Sequence, residues 1–94
     1  MILDKMDTQM SATPMNLDQA PASSVWRVAR VRVPAGHEAQ ARQLEEIGFL
    51  PGEPVSVMSR GPWGGDPLAV RVGLSTFALR RVEARCIELE PLGA

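Results

Sequence analysis

One cysteine, one histidine, no tyrosine and four aromatics in 94 residues leave little material for chemistry. The lone Cys86 excludes an internal disulfide and fits a reducing compartment, with cytoplasm the expected location. With His37 as the only imidazole, a metal centre built by one chain would lack the nitrogen and sulfur ligands it needs. No apolar run approaches the ~18–20 residues that cross a bilayer, and the N-terminus has no basic region followed by an apolar stretch. Neither membrane insertion nor a signal peptide is expected. Lysine is nearly absent: after Lys5 every basic residue is one of nine arginines, and the net charge of −1 leaves no phosphate-tracking footprint. No Ser/His/Asp or Cys/His set, P-loop or singled-out carboxylate pair appears. No catalytic residue is therefore expected, and the chain reads as a binding protein rather than an enzyme.

What is present falls into two parts. Residues 1–24 are rich in Met, Asp, Gln, Ser, Thr, Ala and Pro, lack aromatic and β-branched runs, and read as a disordered tail. Met6, Met10 and Met15 leave the start codon open, and function is not expected to depend on the first fourteen residues. Residues 25–94 form the expected domain, about 70 residues whose core would supply roughly 3–5 kcal/mol.

The run Ile47-Gly48-Phe49-Leu50-Pro51-Gly52-Glu53-Pro54-Val55 dictates a helix stop, a reversal and a strand start. Upstream, residues 38–47 hold helix formers with no Gly or Pro, and Ala41, Leu44 and Ile47 offer a narrow apolar stripe. Gly48 takes the positive φ that closes the last turn, which places Leu44 and Phe49 as the hydrophobic pair of a Schellman cap. Pro51 forbids resumption of the helix, and Pro51-Gly52 has the order of a type II turn. Strands are expected at 25–33, from Val55, around Leu68, Val70 and Val72, at Phe77 and Leu79, and at Ile87 and Leu89. A Gly/Pro-rich hairpin, residues 61–67, joins the second and third strands. A single helical turn spans 81–85. The fold class is mostly β: a small SH3-like antiparallel barrel of about five strands with one α-helix and a short helical turn.

Leu44, Gly48, Phe49, Pro51 and Gly52 have backbone or core roles. Trp63, flanked by Pro62 and Gly64-Gly65 at a hairpin tip, either anchors a partner or folds back over its own hairpin or first strand. Arg80 and Glu83 stand at i and i+3, close enough for a local ion pair, which competes with a partner contact for Arg80. His37 opens the helix beside Glu38; no cofactor is expected, and a divalent ion would be shared between His37, a carboxylate and a neighbouring molecule. Cys86 packs as a small apolar residue.

Three motifs resemble the FeoA family of bacterial ferrous iron uptake. Leu44-x-x-Ile47-Gly48-Phe49-x-Pro51-Gly52-x-x-Val55 is similar to its helix-to-strand signature, with Ile47 where Leu is more usual. Gly61-Pro62-Trp63-Gly64-Gly65-Asp66-Pro67 resembles its hairpin, and Ala78-Leu79-Arg80-Arg81-x-Glu83-Ala84-x-x-Ile87 its closing segment. The resemblance implies a cytoplasmic accessory to FeoB, the membrane ferrous iron transporter with a GTP-hydrolysing G domain, bound through an SH3-like surface carrying Trp63, Pro62 and Arg80. Direct modulation of GTP hydrolysis is a sub-case, with Arg60, Arg71 or Arg80 as the arginine offered to the nucleotide. The alternatives are a small barrel that binds nucleic acid, motivated by nine Arg and two Trp, or a detached SH3-like domain of a DtxR-type repressor. Exposed strand edges also allow a weak homodimer.

Overall fold

The computed structural model describes residues 15–92. In chain order it contains β1 (Met15–Asn16), a 3-10 turn (Leu17–Gln19), β2 (Val25–Val31), α1 (Glu38–Glu46), β3 (Pro54–Gly61), β4 (Gly65–Val72), β5 (Ser75–Leu79), α2 (Arg81–Ala84) and β6 (Ile87–Pro91). The strands form one antiparallel sheet ordered β1-β6-β2-β3-β4-β5. It curls around its core without β1–β5 pairing among the described residues, an open version of the expected barrel. There are six strands rather than five.

The additional strand corrects the boundary of the expected tail. Met15 and Asn16 pair with Leu89 and Glu88 of β6, and Leu17 and Ala20 are fully buried. Periodicity failed here because only two residues of the segment pair in a ladder and the rest is held by single contacts. Gln19 Oε1 accepts the Asn16 N–H at 2.9 Å, and Ser23 N–H donates to the Val57 carbonyl at 2.8 Å. Arg60 reaches across to donate to the Ala20 carbonyl. The ordered domain thus starts by residue 15, not 25; residues 1–14 of the expected tail lie outside the described residues.

Hydrophobic alternation does place the core. Val55 and Val57, Leu68, Val70 and Val72, Leu79, and Ile87 and Leu89 all point inward, joined by Val28, Leu44, Phe49 and Ala84. In β2 the register against β6 shifts between Val28 and Arg30. This bulge changes the phase of alternation, so Val28 is buried and Val31 still packs on the core. Trp26 also packs there, and its Nε1 donates to Ser24 Oγ at 2.8 Å.

The α1 terminus has the geometry its residues dictate. Phe49 N–H donates to the Leu44 carbonyl at 3.1 Å and Gly48 N–H to that of Glu45 at 3.1 Å, the paired bonds of a Schellman cap, with Gly48 at φ 126°. Glu53 N–H then donates to Leu50 O at 3.0 Å across Pro51-Gly52, and Gly52 takes φ 91°. Phe49 is carried into the core, where its ring meets Phe77 at 6.3 Å between centroids. Ile47, expected on the apolar stripe, is the C-cap residue and remains 36% exposed. Only Leu44 of α1 is buried, so the helix is anchored mainly through its C-terminal end.

Candidate functional site

The β3–β4 hairpin closes through Trp63-Gly64-Gly65-Asp66. Gly64 and Gly65 adopt φ of 65° and 89°, the positive pair demanded by a two-residue type I′ turn, while Asp66 N–H donates to Trp63 O at 3.1 Å. The strands approach so closely below the turn that a Cβ on Gly61 would collide with the Asp66 carbonyl. That closeness sends the tip outward. Pro62 is exposed, and Trp63 is 76% exposed, folded over neither its hairpin nor β2.

The tip is nevertheless held. Asp66 Oδ1 accepts the Arg81 backbone N–H at 2.6 Å, and Arg81 Nη1 donates to the Gly64 carbonyl at 3.2 Å. Asp66 thereby supplies a carboxylate to the first turn of α2, whose N–H groups have no partner within the helix. Glu83 serves the same end: its Oε1 accepts the Arg80 N–H at 2.8 Å, and its Oε2 lies 3.8 Å from Arg80 Nη2. The Arg80 side chain stays 75% exposed. The bonds of Arg81 to the hairpin thus bring Arg80 to the same end of the molecule as Pro62 and Trp63, and Glu83 braces Arg80 locally.

The remaining arginines are mostly occupied. Arg27 donates to the Leu92 and Gly52 carbonyls, Arg30 and Arg32 share Glu88, and Arg85 pairs with Asp18. Arg60 uses one Nη on the Ala20 carbonyl while its side chain stays exposed. Arg71 lies in a hollow of about 220 Å³ with Val25, Pro54, Val55, Ser56 and Gly73. Gly73 belongs to the β4–β5 turn, at the opposite end of the sheet from Trp63.

His37 is exposed at the N-cap of α1 and makes no side-chain capping bond. The neighbouring Glu38 carboxylate has its pKa lowered by bonds to backbone N–H groups, one of them the 3.2 Å bond from Gly36. A groove of about 420 Å³ brings His37 and Cys86 onto one surface with Arg32, Pro34, Gln40, Val82 and Arg85. No cluster of three or more His, Cys, Asp or Glu side chains with metal-holding geometry occurs among the described residues.

A family model described as the FeoA domain matches residues 15–91. The chain belongs to the FeoA family. The matched span begins at β1, in agreement with the ordered boundary. A FeoA from Stenotrophomonas maltophilia, solved with zinc and described as a prokaryotic SH3-domain protein, is 39% identical, with TM-score 0.73 over 81% of this chain and 89% of that one. FeoA from Chlorobium tepidum is 28% identical, with TM-score 0.71 over 83% of this chain and 70% of that one. A FeoA-like protein from Clostridium acetobutylicum is 26% identical, with TM-score 0.71 over 84% and 87% of the two chains. No curated protein matches. The SH3-like fold and the link to ferrous iron transport follow from family membership. No helix among the described residues is long and apolar enough to cross a membrane.

Asp66 and Arg81 are the site residues that motif reasoning passed over. The available signal was an acid inside a Gly/Pro-rich turn, a residue type that satisfies orphan N–H groups nearby.

Proposed function

We propose that this family member is a non-catalytic cytoplasmic accessory of ferrous iron uptake that binds FeoB through the hairpin end, with Trp63 and Pro62 as the apolar anchor and Arg80 beside them. The observation that carries the reading is Trp63, a rigid aromatic left 76% exposed on a tip fastened to α2. Exposing so much aromatic surface forgoes roughly 25 cal/mol per Å² of burial, and preorganised aromatics dominate interface energetics. Cytoplasmic location follows from this partner, whose G domain faces that compartment in the family resemblance.

The test is capture of full-length FeoB by Trp63→Ala and wild-type protein, with the melting temperature of each measured alongside. Weakened capture at an unchanged melting temperature supports the reading; unchanged capture removes Trp63 from the interface. The nucleic-acid alternative gains nothing from the charge of the chain, whose net value of −1 leaves no phosphate-tracking footprint.

A further inference from the structure

The groove between α1 and α2 is unlike the rest of the surface. Its walls are Arg32, Pro34, His37 and Gln40 on one side and Val82, Arg85 and Cys86 on the other. Val82 is 55% exposed, so the groove has an apolar wall open to solvent. Both arginines hold their intramolecular carboxylates through Nε: Arg32 to Glu88 at 3.3 Å and Arg85 to Asp18 at 3.6 Å. Neither makes a hydrogen bond through its Nη atoms to the described residues, and their side chains are 65% and 58% exposed. Two planar forks are therefore exposed, and a carboxylate or a phosphate matches them in two-point geometry.

The nearby charges come close to cancelling once Glu38 is counted, so what attracts an anion is the pair of exposed guanidinium groups rather than a net positive field. Glu88 is shared between Arg30 and Arg32, which leaves one cation in excess, while Asp18 balances Arg85. Glu38, the acid of the first α1 turn, is folded back onto Gly36 N–H. The same short helix serves the groove and the hairpin end: Arg81 of α2 is bonded to Gly64 and Asp66, and Val82, the next residue, lines the groove.

We infer that this groove receives an acidic segment of the partner protein, a carboxylate on Arg32 and Arg85 with an apolar side chain against Val82 and Pro34, alongside the Trp63 contact. The inference rests on the FeoB reading above and names a second part of the same interface. A protein segment suits the site better than a free anion, because guanidinium and apolar contacts line the same groove.

Cys86, the only cysteine, lies in the groove and reports on it. Its thiol contacts the Val82 carbonyl at 3.5 Å, and burial raises its pKa, so alkylation rates are compared at one fixed pH. Full-length chain is alkylated with and without detergent-solubilised FeoB, and affinities are measured for wild type, Arg32→Gln and Arg85→Gln. The expected result is slower alkylation in proportion to FeoB occupancy and about tenfold weaker binding for each variant, the loss of one charged hydrogen bond. Binding of wild type with unprotected Cys86 and unchanged variant affinities would overturn the groove and leave the Trp63 interface standing. Equal protection by inorganic phosphate alone would overturn it in favour of a free anion. Absence of wild-type binding would overturn the FeoB reading and the groove together. The alkylation arm uses unaltered protein, so it decides even where a variant misfolds.

Discussion

The turn that ends α1 and the turn that joins β3 to β4 are made from the same materials, Gly, Pro and one aromatic, and they send the aromatic in opposite directions. Phe49 is fully buried and Trp63 is 76% exposed. The difference lies in what the backbone does just before the ring. Gly48 turns the chain back across its own helix, so Phe49 falls against the strands. The two glycines after Trp63 instead reverse the chain at the edge of the fold and leave the ring open to solvent. The first turn concentrates stability; the second displays a surface and depends on α2 for its orientation.

Substitutions break or sharpen this contrast. Phe49→Ala removes a fully buried ring and should cost about 3–5 kcal/mol, close to the whole stability of so small a core, read as loss of the cooperative urea transition. Leu17→Ala should cost about 2–5 kcal/mol by the same measurement; no loss would return residues 15–24 to the tail. Gly61→Ala forces strand against strand and should cost about 1–3 kcal/mol, more than the roughly 1 kcal/mol expected for Gly48→Ala, whose Cβ meets only Val72 at ordinary contact distance. Asp66→Ala uncaps α2 and should cost about 0.5–2 kcal/mol, visible as faster amide exchange at Arg81. Trp63→Ala should shift stability by no more than about 0.5 kcal/mol. Equal losses from Trp63→Ala and Phe49→Ala would erase the distinction between the two turns.

How much of this was legible depended on how each residue is held. The Schellman cap, the type II turn and the inward valines of β3 and β4 follow from residue type and period, because local stereochemistry and burial agree there. The hairpin was legible as a turn, but the direction of Trp63 was open between partner and self-packing. Leu17 and Ala20 gave no periodic signal, since tertiary contacts to Val57 and Arg60 hold that segment. The pairing of Asp66 with Arg81 joins positions fifteen apart, beyond any local pattern. The groove could not be read at all: His37 and Cys86 have no ligand spacing, and only the fold places them on one surface.

The most direct measurement is calorimetric titration of wild-type and Trp63→Ala protein into full-length FeoB, with melting temperatures as the folding control. The account predicts binding by wild type and a loss of about 2 kcal/mol or more, some thirtyfold in Kd, for a variant that melts like wild type. Equal affinity of the two would contradict the claim that the hairpin end is the docking surface.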